Sequence, residues 1–175
     1  MNNEQTLRKF EEVITIWENE LDNYTMQELL KKPSDEKWSM GQLYNHLISA
    51  TLSFHLKQIE ACIASDENKN KKKNFKGFIT YHILGKMPPI KIKVPPSDAY
   101  TPKQPESKDA IAEGLKKCRE RTKNALATIQ NATASGKTAH PGLAFLNAEE
   151  WYKLIEMHFR HHLRQKKELD MFLQK

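Results

Sequence analysis

"NAEEWYKLIEMHFRHHLRQKKELDMF", residues 147–172, carries the reading of the fold. Asn147 with Glu150 three residues on forms a capping box, the signature of a helix start. Trp151, Leu154, Ile155, Leu169 and Phe172 then recur in steps that place them on one face of a long amphipathic helix. Within that stripe, where aliphatic side chains belong, stand His158, His162 and Gln165. Two imidazoles four residues apart project from the same face one turn apart.

Working outward, three more stripes accompany this one. Leu7, Phe10, Ile14, Trp17 and Leu21 share a face while Glu11, Glu12, Glu18 and Glu20 point away from it, which predicts a first helix. In "WSMGQLYNHL", residues 38–47, Ser39 and Gln42 make a second capping box. From there Leu43, His46, Leu47, Ala50, Phe54 and Ala61 are expected on one face of a second helix, with the stem of Lys57 covering part of it. Ile111, Leu115, Cys118, Thr122, Ala125 and Ile129 define a third, capped by Ser107 or Asp109 and ended by Ser135-Gly136. Trp38 and Trp151, each at a helix start, read as packing at the bundle ends.

Between residues 66 and 106 the periodicity breaks down. The run "NKNKKKNFK", 68–76, leads into "FKGFITYHILGKM", 75–87, apolar enough for a short helix packed on the bundle. Pro88, Pro89, Pro95, Pro96, Pro102 and Pro105 then forbid a long helix, and "IKIKV", 90–94, alternates like a short strand with no partner in sight. Residues 1–175 are thus expected to form a single all-α domain: an antiparallel four-helix bundle with a long, elaborated connection between helices 2 and 3.

The formal net charge of +6 resides in good part in that lysine run, which reads as a solvated loop, so a nucleic-acid partner is not expected. Cys62 and Cys118 fall in helices far apart and read as buried reduced thiols. No stretch approaches the roughly 18 apolar residues of a membrane span, and the start of the chain lacks the apolar core of a signal peptide. A cytoplasmic protein without a membrane partner is expected.

His46 stands on the inner stripe of the second helix, His158 and His162 on that of the fourth. If those helices face each other at matching depth, three imidazoles converge, and one shared divalent cation gives all of them a partner inside an apolar bundle. His161 falls off the stripe and flanks the site or supports it from outside; Gln165, a turn beyond His162, can hydrogen-bond near it or tie the helix to the long connection. Phe159 follows His158 where a zinc-protease helix carries glutamate, which argues against a metalloprotease. No histidine has a glutamate three residues before it, which argues against a di-iron carboxylate site. A mononuclear three-histidine site leaves positions open for water, a thiol or an anionic substrate atom.

"KWSMGQLYNHL", 37–47, and "HPGLAFLNAEEWYKLIEMHFRHHLRQ", 140–165, resemble the helix-start and closing segments of the DinB/YfiT-like superfamily. The resemblance implies a four-helix bundle whose metal ligands are His46, His158 and His162, binding zinc, nickel or a similar ion. It also implies a homodimer, and an enzyme that uses a low-molecular-weight thiol such as bacillithiol, mycothiol or glutathione. Gln42 replaces a frequent glutamate, and Gly142 directly follows Pro141 where that family usually has an aromatic residue first.

Three functions are open at this point. One is a metal-dependent enzyme, a thiol transferase or a hydrolase, acting on a small-molecule substrate. Another is a non-catalytic bundle whose basic connection (Lys69, Lys71, Lys72, Lys73, Lys76, Lys91 and Lys93) binds a polyanion. The third is a stress-associated metal-binding protein that has lost its reaction.

Overall fold

The computed structural model describes residues 2–87 and 101–174, and each long helix in it begins at a side-chain cap. Asn2 and Gln5 cap α1 (Asn3–Leu21), and Ser39 and Gln42 cap α3 (Met40–Ser49). Ser107 caps α6 (Lys108–Gln130), and Asn147 and Glu150 cap α7 (Ala148–Leu173). A short α2 (Met26–Leu30), which the apolar stripes do not reveal, has its own capping box from Thr25 and Glu28. α3 continues without a break through a π-helical turn, Ala50–His55, into α4 (Leu56–Ala64). α1, the α3–α4 rod, α6 and α7 are the four members of the expected all-α bundle.

Contacts between these helices give their directions. Asn3 meets Glu149, Phe10 packs edge-on against Phe159, and Lys166 pairs with Glu20, so α1 and α7 run parallel. Arg119 pairs with Glu18 while Gln130 reaches Glu4, so α6 opposes α1. Phe54 meets Trp151 and His46 meets His162, so the α3–α4 rod opposes α7. Ile48 faces Gly114 and Glu60 pairs with Arg121, so the same rod runs parallel to α6. Two neighbouring pairs are therefore antiparallel and two parallel. The long connection accounts for this, because it carries the chain back to the end from which the second helix started.

Phe10, Ile14, Trp17, Leu43, Tyr44, Leu47, Leu115, Trp151, Ile155 and Phe159 are each no more than 1% exposed and form the centre of the core. Part of the connection also packs on α7. Asn74 caps α5 (Phe75–Phe78), a further π-helical segment covers Ile79–Leu84, and the helix ends at Gly85 in the left-handed region. Tyr81 donates its hydroxyl hydrogen to the Glu150 carbonyl at 2.8 Å, and Arg160 donates to the Gly85 carbonyl at 3.0 Å. The short packed helix expected from "FKGFITYHILGKM" is thus present, whereas "IKIKV", Lys91, Lys93 and Pro88, Pro89, Pro95 and Pro96 lie outside the described residues.

Besides the two parallel pairs, where antiparallel neighbours were expected throughout, two features depart from the sequence expectation. Thr51, His55, Ile59 and Cys62 face inward, while Phe54 is 36% exposed and Ala61 is exposed. The π turn is the reason: its wider winding delays the stripe by about one residue. Downstream of α6, Thr138–His140 (β1) and Ala144–Leu146 (β2) form an antiparallel hairpin in which Thr138 pairs with Leu146. Strands of three residues are too short to show an alternating pattern. Cys62 and Cys118 are buried free thiols, as expected.

Candidate metal centre

The site is built from two helices that run antiparallel, α3 and α7. His46 lies in α3, whose first two turns are anchored by the segment ahead of α6. There Gln42 donates to the Pro102 carbonyl at 2.7 Å and Asn45 to the Lys103 carbonyl at 2.9 Å. His158 and His162 come from the middle of α7. The Nε2 atom of His158 is 3.0 Å from that of His46 and 3.1 Å from that of His162. His46, His158 and His162 each offer a ring nitrogen, and the three atoms lie within 4.8 Å of one another.

Hydrogen bonding alone does not satisfy this arrangement. Nε2 of His158 carries at most one hydrogen and cannot serve two neighbours at once. Protonation is opposed as well. Burial lowers His46 to about 4 and His162 to about 3, and drives His158 well below the ordinary histidine value. Three neutral nitrogens aimed at one point suit a divalent ion. Zinc–nitrogen bonds of about 2.0–2.1 Å at tetrahedral angles put ligand nitrogens about 3.4 Å apart, so small shifts would accommodate one. The Oε1 atom of Gln165 lies 3.0 Å from His162 Nδ1. An amide oxygen only accepts, so Nδ1 holds the hydrogen and Nε2 is left with its lone pair toward the centre.

The sequence pattern of the DinB superfamily matches residues 9–165. The chain belongs to the DinB superfamily. No curated protein and no solved structure matches it. The match runs from α1 to Gln165, so this DinB-superfamily domain includes every residue of the three-histidine cluster.

Other expected site residues take distinct places in this DinB-superfamily chain. Gln165 touches His162. His161 stands outside the cluster, its ring 5.2 Å from that of His162 and nearly perpendicular to it. With Lys86, Met87, Met157, Arg160 and Arg164 it lines a cavity of about 150 Å³. Arg160 is held there by both oxygens of the buried Glu156 carboxylate. Trp38 does more than close a bundle end, since its ring is 4.9 Å from that of His46 and flanks the site.

Sequence reasoning missed His55 and His140. His55 is 5% exposed, its ring centroid lies 5.3 Å from that of His158, and burial lowers it to about 3. His140, lowered to about 4 by burial, packs 5.3 Å from Trp151 and accepts a hydrogen bond from Gly142 at its Nδ1. Nothing in the pattern places His55 here. On a regular helix, residues 46 and 55 point in opposite directions, and only the π turn brings both to the inner face.

Proposed function

We propose that the chain is a metal-dependent enzyme acting on a small molecule, with a divalent ion, zinc or nickel, held by His46, His158 and His162. The observation that carries this is the approach of three neutral Nε2 atoms to one point between α3 and α7. An ion there would supply a Lewis acid on which a thiol or water loses its proton at neutral pH. The imidazoles leave the ion's charge uncompensated, which favours an anionic nucleophile such as a thiolate.

Around that centre the chain's own groups have separate roles. Gln165 fixes the tautomer of His162. Trp38 shields the face of His46. The cavity beside His161 offers Lys86 to an anionic part of the substrate, over a floor of Met87 and Met157, while Arg160 there is already paired with Glu156. A low-molecular-weight thiol bearing a carboxylate meets both requirements, so thiol transfer is the leading reaction, with hydrolysis as its variant.

No helix among the described residues is long and apolar enough to cross a membrane. The exposed side chains Phe75, Phe78 and Ile83 supply apolar surface for a homodimer contact. Polyanion binding is less favoured, because Lys73 is paired with the half-buried Glu150, Lys69 with Asp66, and Lys71 lies against Phe145.

Elemental analysis of untagged protein tests the reading. One equivalent of zinc or nickel in the wild type, lost in His162→Ala, is the expected result, followed by turnover with a thiol donor. Wild type that takes up neither ion on dialysis would refute it.

A further inference from the structure

A histidine that binds a metal through one ring nitrogen commonly gives the other to a fixed partner, which orients the ring and raises its basicity. His162 has such a partner in Gln165. His158 does not: its Nδ1 is buried and makes no hydrogen bond among the described residues. The Nδ1 atom of His55 is buried and unpartnered in the same way, and so is the indole Nε1 of Trp151.

The rings that carry these three orphans are neighbours. The His55 ring lies 5.3 Å from that of His158, at 82°, and 5.9 Å from that of Trp151. Isolated buried polar atoms are unfavourable, and such groups are ordinarily joined by an ordered water making about three hydrogen bonds. The donor count balances here. One water can accept from Trp151 Nε1–H and His158 Nδ1–H and donate to His55 Nδ1, with the hydrogen of the His55 ring on Nε2. The backbone points the same way, because the π turn Ala50–His55 swings His55 inward at a position where a regular helix would present Phe54.

We propose that His55 is a positioning residue for the ligand His158, acting through a water shared with Trp151, and that it sets the tightness with which the three-histidine site holds its ion. This rests on the metal-binding reading above. His55 then does for His158 what Gln165 does for His162, from the opposite helix.

The test is zinc affinity, measured by competition with a chelator on the full-length untagged protein, alongside the thermal unfolding of each metal-free sample. His55→Phe fills the space without a polar atom and should lower zinc affinity roughly 10- to 100-fold, with no loss of metal-free stability. His55→Asn places a polar atom near the former Nδ1 and should recover most of the affinity. Thr122→Val removes an equally buried, unpartnered hydroxyl on α6 and should leave affinity unchanged. Wild-type affinity in a folded His55→Phe protein would overturn the proposal, as would affinity losses in both His55 variants that merely follow lost stability. If His55→Phe does not fold, His55→Leu is judged by the same criteria. Wild type that binds no zinc would instead bring down the three-histidine reading, and this proposal with it.

Discussion

Replacing His162 by phenylalanine should make the metal-free protein less sensitive to acid. In the folded chain burial holds His46 at about 4 and His162 at about 3, against the ordinary value of 6.5. As pH falls below about 6.5, the unfolded chain takes up protons that the folded chain refuses, so stability is full above that pH and declines toward pH 3 to 4. Because pH 5 lies about 1.5 units below the unfolded value of 6.5 and above both folded values, each histidine costs about 2 kcal/mol there at about 1.4 kcal/mol per unit. Their joint loss of about 4 kcal/mol is a large part of the 5–15 kcal/mol typical of a domain. The assay is urea unfolding of chelator-treated wild type and His162→Phe at pH 7.5 and pH 5. The variant should lose about 2 kcal/mol less than the wild type between the two. Equal losses in the two proteins would refute the reasoning, because they would mean that His162 is not held neutral by the fold.

Three further outcomes follow from the same geometry. Free zinc at a hundred times its dissociation constant should stabilise the wild type by about 2.7 kcal/mol, seen in calorimetry as a rise of roughly 5–11 °C in Tm for a chain of this size, with no rise in His158→Ala. Gln165→Leu should weaken zinc binding about 10- to 100-fold in the chelator competition, with little change in the metal-free Tm, because it frees the His162 tautomer. Gly41→Ala should cost roughly 1–3 kcal/mol in urea unfolding, since a Cβ there would sit 2.6 Å from Pro105 Cγ and 2.8 Å from the Leu29 carbonyl oxygen.

The parts of the site that could be read in the sequence are those set by regular helical geometry. His158 and His162 share a face because residues four apart always do, and His46 follows the capping box at Ser39 by a fixed number of turns. The parts that could not be read depend on departures from that geometry. A π turn shows no periodicity of its own, so the apolar pattern points to Ala50 and Phe54 where Thr51 and His55 face inward. The β1–β2 hairpin and α2 were too short for an apolar pattern to form.

The sequence by itself determined the local decisions: where four long helices begin, which faces are apolar, and which three imidazoles could share an ion. Those are set by hydrogen bonds and side-chain directions within a few residues of each other. Tertiary structure alone decided what depends on distant segments meeting. It set the parallel course of α1 beside α7, the packing of the connection on α7, and the gathering of His55, His140 and Trp151 beside the three-histidine cluster. Contacts of that kind arise from how whole faces pack, and a shift of one residue in a single turn is enough to change which side chain arrives there.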